Sequence, residues 1–342
     1  MKKILLLTCL LMAASMMLAQ KPAKAYKLVP DVNMQRIDTE IARLSLISGG
    51  IVGISAIHIE TGKHITQNDQ VVFPMASCFK VPIAIELLTK VDSGLYSLDQ
   101  LIEIEQNDLH PGSGMISERF NWPNSSKPGV ALSVRSLLEL MLLISDNSAA
   151  DACLRLAGGP TAVNACMKRL SIEDLHIDRP TFVMIGELLG VMMDKNKPWS
   201  PVVFDSLAKD LKPENETIYL KKFDGDNQDT STPDAMSNLL LKLYKDPILK
   251  PESKALLLDI MKRCETGLTR LKGLLPKDTE VMHKTGTIGM TTNDVGIITL
   301  PGDGGHVVIS VFVKSSVKEI PDRERAIAEV TRTIYDYFIL NH

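Results

Sequence analysis

Ser77-Cys78-Phe79-Lys80 decides how the rest of the chain is read, because it sets an amine three residues after a hydroxyl at the start of an apolar helix. Residues i and i+3 share a helix face, so the lysine amine is expected over the serine hydroxyl. A hydroxyl at its ordinary pKa is a weak nucleophile, and a lysine can take its proton only when held neutral. Burial and nearby cations favour the neutral amine, and a helix N-terminus adds positive potential. Val81, Ile83, Ile85, Leu87 and Leu88 follow, enough apolar surface to bury the helix in a core.

Alone, Ser-x-x-Lys reads equally well as a helix N-terminus with a solvated lysine. Two later tripeptides change that balance: Ser145-Asp146-Asn147, and Lys284-Thr285-Gly286 followed by Thr287.

The chain has 342 residues and a formal net charge of -3. Met1-Lys2-Lys3 precedes an apolar run from Ile4 to Ala19, too short to span a bilayer comfortably, so residues 1–25 read as a secretory signal peptide cleaved after Ala19 or Ala25. No later stretch has the length and apolarity of a membrane span, and a periplasmic or secreted protein is the expectation. No basic cluster is present, which argues against nucleic acid or an anionic membrane as a partner. Four of the five cysteines survive signal removal: Cys78, Cys153, Cys166 and Cys264. They form no CxxC and no Cys/His cluster with metal spacing, so no metal is expected; an oxidising compartment permits a disulfide, but the sequence does not pair them. Cys78 reads as a small buried hydrophobe.

Val32 to Ile47 has helical apolar spacing and stops at Gly49-Gly50. Ile51 to Ile59 and His64 to Gln67 read as a hairpin, with His58 and His64 as ordinary strand residues. From Phe79 to about Leu275 the pattern is mostly helical, with Ser133 capping Val134 to Ile144, Asp146 or Asn147 capping the next helix, and Pro160 opening a third. Strands return at Val281 to Thr287, Val295 to Leu300 and Val307 to Val313, and Arg323 to Ile339 closes the chain as an amphipathic helix. Neither end holds enough strands for a sheet of its own. The expectation is therefore one antiparallel sheet built from both ends (26–76 plus 276–342), flanked by the terminal helices, with residues 77–275 as an inserted all-helical domain and a ligand cleft between them.

The three motifs, in this order, resemble those of class A serine β-lactamases and penicillin-binding proteins. Phe73-Pro74-Met75-Ala76, Asp229-Thr230-Ser231-Thr232-Pro233, Gly273-Leu274-Leu275-Pro276 and Thr292-Asn293-Asp294 narrow the resemblance to class A serine β-lactamases, over nearly all of the mature length. The resemblance implies a serine β-lactamase/penicillin-binding transpeptidase-like fold, a small-molecule β-lactam substrate and no cofactor. It makes Ser77 the acylated nucleophile, Lys80 its base or proton relay, and Ser145 the hydroxyl that passes a proton to the leaving lactam nitrogen. Asn147 becomes the donor to the substrate's side-chain amide. Lys284, Thr285 and Thr287 face the substrate carboxylate, and the backbone N–H groups of Ser77 and Thr287 form an oxyanion hole. Asp146 is expected to be a helix cap, and a monomer is the expected state.

Two departures stand out. Many relatives place an arginine on the strand after Lys-Thr-Gly; here Thr292 stands there, and Arg270 matches the position from which other members supply it, its plainer reading being a helix-surface arginine. The second concerns the loop that brings the deacylating glutamate. Arg179 and Asp229 look like the ion pair that closes it, yet they lie 50 positions apart, so the loop carries a large insertion. Counting forward from Arg179 puts Thr181 at the glutamate's place; counting back from Asp229 lands on Glu216, with Glu214, Glu187 and Lys80 as competitors. A DD-peptidase or transpeptidase, or a penicillin sensor that acylates once, therefore stays open beside β-lactam hydrolysis.

Overall fold

The hairpin read from Ile51 onward forms as β1 (Ile51–His58) and β2 (His64–Gln67), antiparallel, with Ile54 opposite Gln67. The structure is a computed structural model that describes residues 32–105, 108–110, 114–120, 130–191, 201–209, 211 and 215–341. The expected signal peptide lies outside them. β3 (Phe73–Pro74), β4 (Leu101–Glu103), β5 (Ala131–Ser133) and β6 (Thr230–Ser231) are short; β7 (Val281–Ile288), β8 (Thr291–Thr299) and β9 (His306–Lys314) are long. β1 pairs antiparallel with β9 from Ile51–Lys314 to His58–Val307, which welds the first hairpin to the C-terminal meander in one sheet of order β2-β1-β9-β8-β7.

β8 starts at Thr291, four residues before the apolar run that signals it. Thr291, Thr292, Asn293 and Asp294 are all buried in the ladder opposite Thr285–Ile288. Polar residues carry no strand periodicity; the side chains of Asn293 and Asp294 are buried with partners, Pro74 O and Met75 O for the first and His283 for the second.

Terminal helices α1 (Val32–Ser45) and α12 (Ile320–Leu340) frame the sheet, with Ile37, Ile41 and Leu44 of α1 buried and α12 packed on β8 and β9. Between them run α2 (Lys80–Asp92), α3 (Met115–Phe120), α4 (Val134–Leu143), α5 (Asn147–Ala157), α6 (Gly159–Arg169), α7 (Thr181–Leu189), α8 (Pro201–Ala208), α9 (Glu216–Asp224), α10 (Pro233–Lys245) and α11 (Pro251–Lys262). The caps are those the sequence marks: Ser133 Oγ accepts from Ser136 N at 3.1 Å, and Asp146 Oδ1 from Ala149 N at 2.8 Å. α5 ends at Gly158, whose φ of +98° suits a residue without Cβ. α2 is buried on all sides against α4, α5 and α6.

The middle of the chain is not all helix. β3 pairs with β6, and β4 with β5, in ladders of two and three residues. Segments this short show no period to read.

Candidate active site

Ser77 sits on the short 3₁₀ turn Ala76–Phe79, immediately before α2 begins at Lys80. The residue before it, Ala76, has φ +47°, a conformation costly for a side chain with Cβ. Three contacts hold it there. Asn293 Nδ2 donates to Pro74 O and Met75 O, each at 2.9 Å, and Met75 N donates to Asp229 O at 3.0 Å. On the third side the β7 backbone lies so close that a Cβ at Gly286 would stand 2.6 Å from Met75 O and 3.0 Å from Ala76 Cβ. The glycine of Lys-Thr-Gly is thus what lets the strand meet the nucleophile turn.

Lys80 is fully buried. Its Nζ donates to Ser145 O at 2.7 Å and Asn147 Oδ1 at 2.9 Å, and lies 3.2 Å from Ser145 Oγ. Lys284 Nζ reaches the same Ser145 Oγ at 3.0 Å and Thr285 O at 2.8 Å. Burial first, and the charge of Lys284 second, push the Lys80 amine well below the usual lysine range. Burial also lowers Lys284. Ser145 has φ +60°, and this turn aims its hydroxyl between the two amines. Asp146 is a cap, as expected: its Oδ2 accepts from Ile116 N at 3.0 Å while Oδ1 holds Ala149 N. Cys78 is a buried thiol 3.4 Å from Lys284 O, pushed up to about 12 by burial.

Arg270 is no surface arginine, being 5% exposed. Its Nη2 donates to Thr287 Oγ1 at 2.6 Å, its Nη1 to Asn293 O at 2.8 Å and Gly286 O at 3.1 Å, and its Nε to Glu324 Oε1 at 3.0 Å. Thr287 is exposed, whereas Thr285 is buried and shares a 2.6 Å hydroxyl contact with Thr266. The guanidinium therefore brings its charge to the Lys284–Thr287 strand edge through Thr287. Thr292, at the alternative arginine position, is buried beneath.

Arg179 and Asp229 form the ion pair expected of them, Nε to Oδ2 at 2.6 Å. Burial pushes the Asp229 carboxyl up to about 6 against the pull of Arg179, while the backbone N–H groups of Asp178 and Arg179 hold its Oδ1. Arg179 also meets Asp226 at 2.8 Å and Glu187, and three carboxylates keep it above its ordinary value despite burial. Thr181 opens α7, its side chain buried. Glu216, the back-counted candidate, stands on the exposed first turn of α9 and makes no hydrogen bond with the Lys80 cluster. Glu214 lies outside the described residues. Among the described residues, no trio of His, Cys, Asp or Glu is spaced to hold a metal ion.

Three further residues of the site, Asp151, His110 and Asn293, have no role assigned by the sequence motifs, although Asn293 lies in the Thr292-Asn293-Asp294 stretch. Asp151 follows Asn147 by four residues, one turn along the same face of α5, which was the available signal. Its Oδ1 accepts from Thr181 N at 2.7 Å, and its Oδ2 from Phe182 N at 3.1 Å and meets His110 Nε2 at 2.8 Å. Burial alone would raise this carboxyl, but His110 and the two N–H groups hold it below its ordinary value. The His110 ring stacks on Phe182 at 4.7 Å, so the pair pins the start of α7 to α5.

Known proteins align with this arrangement along most of the chain. A beta-lactamase named VEB-1 from Pseudomonas aeruginosa is 31% identical over 84% of this chain and 85% of its own length. A beta-lactamase from Bacteroides uniformis is 30% identical over 85% and 88%. The crystal structure of a beta-lactamase from Chitinophaga pinensis superposes with a TM-score of 0.72 at 30% identity, covering 88% of this chain and 98% of that one. An ancestral class A beta-lactamase does so at 0.70 and 30%, covering 88% and 99%. Since the profile of the Beta-lactamase enzyme family spans residues 36–338, from α1 through all three motifs to α12, this chain belongs to that family, in its class A serine branch.

Proposed function

We propose that the chain opens β-lactams by forming an acyl ester on Ser77 and then hydrolyses that ester. The observation that carries the reading is the buried Lys80 amine, lowered well below its usual range and held beside Ser145 and Asn147 at the base of the nucleophile turn. In this reading the neutral amine takes the Ser77 proton as Oγ attacks the lactam carbonyl. The N–H groups of Ser77 and Thr287 receive the developing oxyanion. Ser145 Oγ, between the amines of Lys80 and Lys284, passes the proton to the departing nitrogen and leaves Lys80 neutral again. Lys284, Thr285 and Thr287, with Arg270 behind Thr287, take the substrate carboxylate, and Asn147 takes the side-chain amide.

The same reading divides residues 26–342 into the sheet domain (26–76 plus 276–342) and the helical domain (77–275), with the substrate in the cleft at Ser77. It makes the protein a monomer, exported to the periplasm or beyond by residues 1–25. Among the described residues no helix is long and apolar enough to cross a membrane.

The absence of an uncommitted carboxylate beside Lys80, among the described residues, favours a second reading in which acylation outruns deacylation, as in a DD-peptidase or a one-shot penicillin sensor. Chromogenic cephalosporin kinetics separate them. Steady turnover supports hydrolysis. A burst of one equivalent, or release of D-alanine from a D-Ala-D-Ala peptide in its place, overturns it.

A further inference from the structure

The segment that carries Arg270 is fastened to the sheet and to α12. Between α11 and β7 the chain runs in turns, with Arg270 N donating to Gly267 O at 2.9 Å and Gly273 N to Arg270 O at 2.8 Å. Leu271 N donates to Asp294 Oδ2 at 3.2 Å, which pins the segment to β8. A Cβ at Gly267, whose φ is +65°, would stand 2.4 Å from Thr285 Cγ2 and 3.1 Å from Arg270 Cδ, so the arginine stem passes over a residue that has no side chain. α12 grips the segment at two points. Arg332 Nη1 donates to Leu274 O at 3.0 Å. Glu324 takes Thr269 Oγ1 on Oε2 at 2.6 Å and Arg270 Nε on Oε1 at 3.0 Å.

A guanidinium carries five N–H groups in one rigid plane. Nε gives its single N–H to Glu324, Nη1 gives two to Asn293 O and Gly286 O, and Nη2 gives one to Thr287 Oγ1. The second N–H of Nη2 has no partner among the described residues, and it belongs to the end of the plane that meets Thr287, where β7 is exposed. Contacts at Nη1 alone would leave the plane a pivot. A second anchor at Nε removes it, and Glu324 is the only carboxylate paired with Arg270 among the described residues.

We propose that Glu324 is a positioning residue of the carboxylate site: braced by Thr269, it fixes Arg270 at Nε and so aims the remaining Nη2 N–H at the substrate carboxylate. This rests on the reading in which the Lys284–Thr287 edge takes that carboxylate. Glu324 also offsets part of the charge that attracts the substrate, an effect of opposite sign. Its side chain is 19% exposed against 7% for Arg270, so solvent screens the charge while the direction of the N–H is kept. The nucleophile turn is held separately, by the Asn293 amide on Pro74 O and Met75 O, so the loss of Glu324 falls on binding and not on the chemical step.

The test compares wild type, Glu324→Ala, Arg270→Ala and the double variant, each with a penicillin and its methyl ester, by hydrolysis kinetics and by the rate of labelling with a fluorescent penicillin. Glu324→Ala is expected to raise KM for the acid about five-fold, the range of one lost hydrogen bond, with kcat changed less than about two-fold. The ester is unaffected, and in the Arg270→Ala background the same substitution adds nothing. Glu324→Gln restores KM, because its amide oxygen accepts from Nε while its NH₂ donates to Thr269 Oγ1. Thermal unfolding checks each variant, and Glu324→Asp, one methylene too short to reach Thr269 and Arg270 together, replaces Glu324→Ala should that variant not fold. A KM unchanged or lowered in Glu324→Ala overturns the proposal, as does an equal loss in the Arg270→Ala background or a Glu324→Gln no better than Glu324→Ala. Wild type that neither turns over nor labels overturns the β-lactam reading and this proposal with it; wild type that labels at the same rate as Glu324→Ala overturns the proposal alone.

Discussion

Lys80 and Lys284 meet on one oxygen, their amines 3.2 and 3.0 Å from Ser145 Oγ. Two buried ammonium groups so placed repel each other, and the one with no counter-charge yields its proton. Asp146 and Asp151 act on Lys80 only weakly against burial and Lys284, so Lys80 is the amine held neutral. The repulsion that would destabilise a charged pair is what fits one member to act as a base.

A pH profile tests this. Acylation needs neutral Lys80, so its rate falls on the acid side through the Lys80 pKa, well below the ordinary lysine range. Lys284→Ala removes a cation that lowers Lys80; the amine then holds its proton to higher pH, and the acid limb moves to the alkaline side. Stopped-flow acylation across pH reads the limb. A limb unmoved in Lys284→Ala would assign it to another group.

Ser77→Ala is expected to abolish both labelling by a fluorescent penicillin and hydrolysis, since Ser77 is the hydroxyl on the strained turn that Asn293 and Gly286 hold against β7. Labelling that persists in this variant takes Ser77 out of the chemistry.

Arg270→Ala is expected to raise KM for carboxylate-bearing substrates more than it lowers kcat. It removes the charge behind Thr287 and one 2.6 Å charge-assisted hydrogen bond, a loss of about 1.5–3 kcal/mol in kcat/KM. Arg270→Lys recovers only part, because a single amine cannot reach Thr287, two carbonyls and Glu324 together. An unchanged KM leaves Arg270 as a brace of the sheet.

What could be read beforehand follows from how local each cause is. Ser133 and Asp146 cap their helices through a partner three residues on, so their chemistry shows in a four-residue window. The hairpin at Glu60–Lys63 and the apolar runs of β7 and β9 are equally local. Thr266 meeting Thr285 depends on a loop crossing a strand, and Asp151 holding Thr181 spans 30 residues, so neither contact shows in a local window of sequence. β8 hid its start because Asn293 and Asp294 are strand residues by virtue of what they bind: Pro74, Met75 and His283. Arg270 read as ambiguous for the same reason, since its burial is decided by Glu324 and the β7–β8 edge.

Asp229→Asn is expected to lower stability by about 3 kcal/mol, towards the lower end for breaking a buried ion pair. Asp226 and Glu187 remain to compensate Arg179, and asparagine tolerates the φ of +53° at this position. Urea unfolding measures the change. Because Asp229 O holds Met75 N, a fall in acylation rate is expected alongside it. A variant as stable as wild type would show that the 2.6 Å pair contributes nothing net.

The last expectation concerns release of the acyl group. Ester hydrolysis needs a water activated by a group that accepts a proton near neutral pH. Thr181 cannot serve, and Glu187 is committed to Arg179. Asp146 and Asp151 have both oxygens occupied, by Ala149 and Ile116 in one case and by Thr181, Phe182 and His110 in the other. Glu216 is solvated at the start of α9. The Lys80 amine, returned to neutrality once the lactam nitrogen has its proton, is the base that remains among the described residues beside Ser77. Glu216→Gln should therefore acylate and deacylate at rates close to wild type. Single-turnover mass spectrometry decides the matter: acyl-enzyme that forms normally in Glu216→Gln and then accumulates, where wild type clears it, would return the role to Glu216. Accumulation in wild type as well would mean that Lys80 alone does not suffice, and would move the protein from turnover towards the one-shot reading.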